Sequence, residues 1–443
     1  MSTVADRLLE SWHRLCATHS PQHALREVLL LLCVRSLAPA LAWTRLCQAR
    51  QAQQLAAYQT LLGQLTHSPG ATLAAGCGQA ETTLNPSQLQ KLLAVWQPDD
   101  PGPAADPPGF LFETVLENCA AQLDADFSAL FAPRLLVDTL VGVLQPHPVR
   151  CVYDPAAAAG GFLTAVADYL AITQAEEKSA ETVSTRYLGR VWHPEQLCLA
   201  SMNLRLAGLD QASVQLSLPS TPLPSTEPLA ELLLSNLAGG YQGQVADEEA
   251  CLHAQLALLE HSLAQLAPGG RAVLLVSDTL LYAEAGQRIR RDLLDQYRVH
   301  TLLRLPEGIF YGQDLAANAL FLHHDGPTQQ LWVYDLRSHL PWLDCQPSVL
   351  QTYLGWFRTA YGEDPAGLVG RDKAAAKDVR LRAYSRADLA AGAEDLDLWW
   401  LDEMVPETSA LRGGGETQFR QVLRTTLADL HNLGALLRTE DSR

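Results

Sequence analysis

The segment of residues 151–163, CVYDPAAAAGGFL, is the part of the chain whose residue types best fit a chemical role. Its apolar start and the pair Gly160 and Gly161 predict a buried strand that turns tightly into a helix. In open parallel sheets such a turn lies where nucleotide-like cofactors meet a helix N-terminus, although two glycines can also serve the turn alone. Ala156 to Ala159 fill its middle, so the backbone signals of a cofactor loop remain without its polar side chains.

The elements that must position this turn are short β-type runs, which alternate with helical segments between residues 109 and 340. This alternation predicts an α/β fold with a parallel, doubly wound sheet and helices on both faces. The predicted strands are residues 150–153, 186–192, 213–218, 232–235, 272–276, 300–305, 319–323 and 331–334.

Composition along the chain predicts three regions. Residues 1–108 combine an all-helical N-terminal domain, rich in Leu, Ala and Gln at helical spacing, with a linker. The linker is the proline-rich stretch 98–108, which cannot continue a helix. Residues 109–340 form the α/β domain, and residues 341–443 form a helical C-terminal region that ends in an amphipathic helix, roughly 417–437.

The net charge of −17 opposes unaided binding to phosphate backbones, so a nucleic-acid substrate would require a basic partner or a local basic patch. Nine cysteines without a C-x-x-C pair favour a cytoplasmic location over a disulfide framework. His13, His19, His23 and the pair His323–His324 lack Cys or acidic partners at ligand spacing, so no metal is predicted. The most apolar N-terminal stretch, 28–34, is too short to span a membrane.

Further blocks flank the turn in a fixed order. They include residues 109–116 (GFLFETVL), 130–134 (LFAPR), 189–194 (GRVWHP), 202–204 (MNL), 232–239 (LLLSNLAG), 266–272 (LAPGGRA), 309–312 (IFYG), 333–337 (VYDLR) and 384–389 (YSRADL). Together with residues 154–162, this ordered set resembles adenine-specific N6 DNA methyltransferases, in particular the methylation (M) subunit of type I restriction-modification systems, over roughly residues 109–400.

The resemblance implies a Rossmann-like class I methyltransferase fold, S-adenosylmethionine as cofactor, and DNA engaged through a specificity-type subunit within a multi-subunit complex. Asn236, followed by Leu237, Ala238 and Gly239, corresponds to the N-P-P-F/Y motif that holds the target adenine. The positions that correspond to the cofactor pocket are Phe131, Pro133, Asp154, Ala156, Gly160, Gly161, Phe162 and Val191.

The adenine motif departs from the family pattern. In the family, the Asn side chain and a proline carbonyl accept hydrogen bonds from the amino group of a flipped adenine, and the aromatic ring stacks on the base. Leu237, Ala238 and Gly239 replace the prolines and the ring, and the missing stacking alone is worth ~1–3 kcal/mol. Tyr241 lies two residues too late to take the place of the ring without an unusual loop.

The cofactor positions depart in the same way. Val191 stands where the family has an acid for the ribose hydroxyls, and Leu216 falls where it has an acid near the cofactor's adenine. Ala132 replaces a threonine that contacts the methionine end, and Ala158 adds a methyl group where a glycine lets the cofactor approach. Every replacement is apolar, so the pocket can become core without unsatisfied polar groups.

These departures predict a catalytically inactive homologue of the methylation subunit, with weak or lost cofactor binding, that serves as a structural or DNA-engaging component of a larger assembly. A second hypothesis is a divergent but active N6-adenine DNA methyltransferase that rebuilds its site with Asn236 and Tyr241. A third is a protein-binding module unrelated to DNA, because a fold does not fix a function.

Overall fold

The computed structural model describes residues 3–66, 82–96, 107–124, 127, 131–147, 149–176, 184–217, 229–239, 248–306, 308–311, 316–338, 347–398 and 400. The described residues up to Leu398 belong to one compact unit. The predicted final amphipathic helix lies outside the described residues.

Helices make up the described part of the N-terminal region. They are α1 (Val4–Leu15), α2 (Pro21–Leu37), α3 (Ala40–Gln48), α4 (Gln51–Thr66) and α5 (Pro86–Leu93). Reciprocal hydrogen bonds cap two of them, between Thr3 and Asp6 at α1 and between Asn85 and Gln88 at α5. The fully buried Glu27 of α2 accepts a hydrogen bond from the Thr82 hydroxyl at 2.7 Å, which fixes the segment before α5 against α2.

A nine-stranded sheet with the strand order β3-β2-β1-β4-β5-β7-β6-β8-β9 forms the centre of the molecule. Its strands are β1 (Cys151–Asp154), β2 (Arg186–Val191), β3 (Ser213–Leu216), β4 (Ala230–Asn236), β5 (Leu266–Ser277), β6 (Arg298–Arg304), β7 (Ala317–His323), β8 (Gln330–Asp335) and β9 (Leu381–Ser385). All eight predicted strands are present, with boundaries shifted by a few residues at most sites.

The sheet is mixed rather than wholly parallel, which corrects the sequence-based expectation. Strand β7 runs antiparallel between β5 and β6. Residues 305–316, which join β6 to β7, contain no helix among their described positions, so the chain returns along the same edge instead of crossing over a face. Strand β9 also runs antiparallel, beside β8, so the region predicted to be helical from residue 341 contributes a strand to the sheet.

Ten helices in the described part of residues 107–398 accompany the sheet. They are α6 (Pro108–Ala120), α7 (Arg134–Leu144), α8 (Gly161–Glu176), α9 (Pro194–Leu206), α10 (Glu248–Leu263), α11 (Asp278–Tyr282), α12 (Gln287–Gln296), α13 (Pro347–Tyr361), α14 (Asp372–Ala375) and α15 (Arg386–Ala391). Buried side chains of α7, α8, α9 and α13 share one apolar core with the sheet, including Val152 of β1 and Leu232 of β4.

The hydropathy of the helices and the state of the cysteines bear on the predicted location of the protein. None of the helices in the described part of the chain is both long and apolar enough to cross a bilayer. Cys16, Cys33, Cys47, Cys119, Cys151 and Cys251 are free thiols, whereas Cys198 takes part in a disulfide. The cytoplasmic location therefore stays a prediction.

Candidate cofactor and adenine site

The alanine-filled turn joins β1 to α8 at the carboxyl edge of the sheet. The Ala157 N–H donates to the Arg190 carbonyl at 2.8 Å, which fastens the turn to the end of β2. Gly160 has φ +81° and Ala158 has φ +47°, so both occupy the left-handed region that favours glycine. The turn thus keeps a glycine-type backbone at position 158 although the residue there is an alanine.

Asp154, at the end of β1, is 1% exposed and is hydrogen-bonded within the chain. Its Oδ1 accepts hydrogen bonds from the Ser235 hydroxyl at 2.6 Å and from the Ala156 N–H at 3.0 Å. Burial raises the pKa of this carboxyl group to about 7, and the two hydrogen bonds act in the opposite direction. Sequence reasoning missed Ser235, because nothing in its local pattern indicates that its side chain reaches the end of a neighbouring strand.

Val191, in the position of the family's ribose-binding acid, is 1% exposed at the end of β2. It belongs to the same apolar core as Ala157 and Phe162 of the turn. Its carbonyl accepts a hydrogen bond from the Ser217 N–H at 3.0 Å, next to Leu216, which is exposed on β3. The structure therefore buries an apolar side chain at the position where the resemblance implies that the family has a hydrogen-bond acceptor.

The remaining predicted pocket residues lie around the same turn. Phe131, Pro133, Ala156 and Phe162 are buried, as is Gly160, whereas Ala132 and Gly161 are half-buried. The polypeptide itself encloses most positions that correspond to the cofactor pocket.

Asn236 and residues 237–239 are also buried. Asn236 is 1% exposed at the end of β4, and its Oδ1 accepts a hydrogen bond from the Ala238 N–H at 3.2 Å. The Leu237 N–H donates to the Leu275 carbonyl at 2.9 Å, and the Ala238 carbonyl accepts from Gln255 Nε2 at 3.0 Å. These bonds tie the segment to β5 and α10.

Gln255 is a second residue that sequence reasoning missed. Besides the Ala238 carbonyl, it binds the Ser277 hydroxyl, which donates to Gln255 Oε1 at 2.7 Å. Gly239, the last residue of the motif, is buried, and Tyr241 lies outside the described residues.

A partly buried polar network supports the turn from outside. Asn203 of α9 donates through Nδ2 to the Ala159 carbonyl at 2.9 Å and to Glu113 Oε1 at 2.5 Å. Arg134 binds Thr164 and Asp168, at 3.2 and 2.7 Å, at the start and middle of α8. Burial raises the pKa of Glu113 to about 7 despite the nearby Arg134. Three of the blocks that carry the family resemblance therefore meet at the turn.

A cavity of about 230 Å³ lies between the starts of α2 and α9, outside the predicted pocket. None of the predicted cofactor residues lines it. Its lining residues are Ser20, Gln22, His23, Arg26, Phe127, Pro194, Glu195, Cys198 and Leu199.

The order of these blocks around one sheet edge agrees with a comparison against known families. The model of the N-6 DNA Methylase family matches residues 104–351, more than half of the chain. The chain belongs to the N-6 DNA methylase family. This confirms the family predicted from the sequence blocks and the class I methyltransferase fold, and the family implies the use of S-adenosylmethionine.

Individual relatives of this N-6 DNA methylase family member align with it over most of their length. The StySJI methylase subunit of a type I restriction enzyme from Salmonella typhimurium is 29% identical over 444 residues, covering 86% of this chain and 84% of the relative. The EcoKI methylase subunit from Escherichia coli (strain K12) is 28% identical over 445 residues, with the same coverages.

Solved structures show the same fold. The crystal structure of the EcoKI M protein superposes with a TM-score of 0.54 and 24% identity over 96% of each chain. A chain from a structure of the type I R-M system gives a TM-score of 0.62 at 17% identity, covering 99% of this chain and 98% of that one.

Proposed function

We propose that this chain is a catalytically inactive N-6 DNA methylase homologue that serves as a structural or DNA-engaging subunit of a larger complex. The observation that carries the proposal is the burial of the turn, of Val191 and of the Asn236 segment. The turn residues Ala156 to Ala159, together with Val191 and Asn236 to Ala238, are each no more than 4% exposed. A methyltransferase needs these positions open to a cofactor and to a flipped base.

The residues present do not fit S-adenosylmethionine. Val191 offers no acceptor for the ribose hydroxyls, and Asp154 Oδ1 is already engaged by Ser235 and Ala156. The Ala158 side chain lies within the turn that a cofactor would have to approach. Each polar contact missing from a buried site costs ~1–3 kcal/mol, so the missing acceptor at Val191 and the engaged Asp154 together weaken binding by roughly one to four orders of magnitude.

The adenine position supports the same proposal. Asn236 Oδ1 is used by the Ala238 N–H, and Gln255 holds the Ala238 carbonyl. An adenine amino group would have to compete with these internal bonds, and no ring is available at Leu237, Ala238 or Gly239 to stack on the base. The bonds instead stabilise the closed form of the segment.

The relatives suggest the setting of this role. They are methylase subunits of type I restriction enzymes, which are assemblies of several subunits. We place this chain in a complex of the same kind, in the cytoplasm, with DNA engaged through a specificity-type partner. Its net charge of −17 supports that arrangement, since such a chain gains little from phosphate contacts without basic help.

The retained Asn236 favours one alternative, a divergent but active N6-adenine DNA methyltransferase. Asn236 still ends the strand that follows β1 across the sheet, which is the position that the family uses. Activity would require the segment 236–239 to open and to release its bonds to Leu275 and Gln255.

The two functions are separated by transfer of a labelled methyl group to adenine in duplex DNA, assayed with the purified chain and with its purified complex. The matched control is Asn236→Ala, which removes the single retained adenine-binding side chain. We expect both proteins to transfer label at the same background rate. Transfer above the Asn236→Ala background would overturn the proposed inactivity.

A further inference from the structure

Strand β9 and the residues before it carry a positive charge that the rest of the chain lacks. Residues 371–386 contain six basic and two acidic side chains, a net charge of +4 in a protein of net charge −17. Lys373, Lys377 and Arg382 are exposed, and Arg380 is half-buried. We call these four residues the β9 basic strip. Among the described residues, no carboxylate lies within 4.0 Å of their charged nitrogens.

Two aromatic rings hold the arginines of the β9 basic strip in place. The Arg380 guanidinium lies 4.5 Å from the centre of the Trp356 ring of α13, which is 42% exposed. The Arg382 guanidinium lies 5.4 Å from the Tyr384 ring. Such cation–π contacts orient a guanidinium without neutralising its charge, so its N–H groups stay available to an anion.

Two acids near the strip, Asp378 and Asp388, have other roles. Asp378 accepts a hydrogen bond from the Tyr334 hydroxyl at 2.7 Å and another from the Arg380 N–H at 3.0 Å. Asp388 caps α15 by accepting from the Ser385 hydroxyl and N–H at 2.7 and 2.8 Å. The strip therefore presents cations beside two acids that are used for local structure and one, Asp372, that is exposed at the start of α14.

One member of the strip, Arg380, lies at the edge of the sheet that also holds Asn236. The Asp335 N–H, at the end of β8, donates to the Arg380 carbonyl at 2.9 Å, which places Arg380 level with the carboxyl ends of the parallel strands. Five strand spacings separate β4 from β9 in the strand order, about 24 Å at ~4.8 Å each. This distance corresponds to roughly seven base pairs of duplex DNA at ~3.4 Å per pair.

We propose that the β9 basic strip binds the phosphate backbone of double-stranded DNA that lies along the carboxyl edge of the sheet. Phosphate is the matching partner because several closely spaced, unpaired cations gain most from a regular row of anions. This inference rests on the proposed DNA-engaging role and names the surface that performs it. It does not depend on cofactor binding or methyl transfer.

The test measures binding of the full-length chain to a fluorescent 30-base-pair duplex of mixed sequence over a range of salt concentrations. The test variant carries Lys373→Gln, Lys377→Gln and Arg382→Gln, all at exposed positions where the fold is not at risk. The control variant carries Arg45→Gln, Arg50→Gln and Lys91→Gln, equally exposed on or beside the N-terminal helices. Both variants change the net charge by the same amount.

Three lost phosphate contacts lower the slope of log affinity against log salt by about 2.7, at ~0.9 per contact. Between 50 and 200 mM salt the wild type then loses roughly 40-fold more affinity than the test variant, by the same relation. We expect the control variant to keep the wild-type slope.

Three results would overturn the proposal. The first is an equal slope of log affinity against log salt for the test and control variants. The second is no binding of the wild type at 50 mM salt. The third is displacement of the duplex by polyglutamate of equal charge, which would assign the strip to an acidic protein instead. Detected methyl transfer would overturn the proposed inactivity and leave this result standing.

Discussion

Replacing Asp154 by Asn tests whether the candidate cofactor turn is part of the core. Both hydrogen bonds to this carboxyl group reach Oδ1, from Ser235 and from Ala156, and asparagine keeps that oxygen. The substitution removes only the ionisable proton from a residue that is 1% exposed. We therefore expect Asp154→Asn to stabilise the protein at neutral and alkaline pH.

The magnitude follows from the pKa of the group. Burial raises the pKa of Asp154 from 3.8 to about 7, so the folded state holds a proton that the unfolded state has released. The free energy of unfolding of the wild type therefore falls as pH rises from about 4 to about 7, by at most ~1.4 kcal/mol per pH unit. The upper limit of this loss is about 4 kcal/mol, and local relaxation of the folded state reduces it. We therefore expect Asp154→Asn to raise the free energy of unfolding by ~2–4 kcal/mol at pH 8 and by under ~1 kcal/mol at pH 4.

Urea unfolding followed by circular dichroism, at pH values from 4 to 8, measures this difference. Asp372→Asn is the control, because Asp372 is exposed at the start of α14 and its substitution leaves the buried turn unchanged. A difference between Asp154→Asn and wild type that does not grow with pH would refute the reasoning. So would destabilisation by Asp154→Asn at pH 8, since that would show a carboxylate stabilised by partners in an open site.

Three further predictions concern the packing around the sheet. Arg304→Met should lower the free energy of unfolding in urea by ~3–5 kcal/mol, because the buried Arg304 pairs with the buried Asp335 at 3.5 Å and with the partly buried Asp397 at 2.9 Å. A loss below 1 kcal/mol would contradict this. Burial lowers the pKa of His323 from 6.5 to about 4, so the protein should lose stability as the pH drops from about 6.5 to about 4. His323→Gln should remove up to ~1.4 kcal/mol of this loss per pH unit. An unchanged pH profile of the variant would refute the prediction. Ala158→Gly should change the free energy of unfolding by under ~1 kcal/mol, because glycine relieves the strain of the left-handed backbone but loses one buried methyl group. A loss above 2 kcal/mol in urea would argue against that balance.

Local sequence patterns were sufficient to predict most strands of the fold. All eight predicted strands occur because each is a short apolar run between turn or helix signals, which reports burial directly. The direction of β7 was not predictable in this way, because an antiparallel strand buried on both faces has the same residue pattern as a parallel one. Strand β9 escaped detection because Arg382, Tyr384 and Ser385, in an edge strand, do not resemble a buried run.

The location of the candidate site at one sheet edge was predictable from the sequence, but its side-chain contacts were not. The sequence blocks brought Asp154, Val191 and Asn236 to one sheet edge, since each ends a strand that the pattern reveals. Ser235 and Gln255, which hold the turn and the Asn236 segment, come from a neighbouring strand and from a helix. Their roles depend on register and on helix placement, which short-range pattern does not specify.

Calorimetric titration of the full-length chain with S-adenosylmethionine tests the central claim most directly. If the turn 156–159 and Val191 are core, no heat of binding should appear up to millimolar cofactor, and Ala158→Gly should behave in the same way. Saturable binding in the micromolar range by the unaltered chain would contradict the account, because it would require an open pocket and hydrogen-bond acceptors that the described residues do not provide.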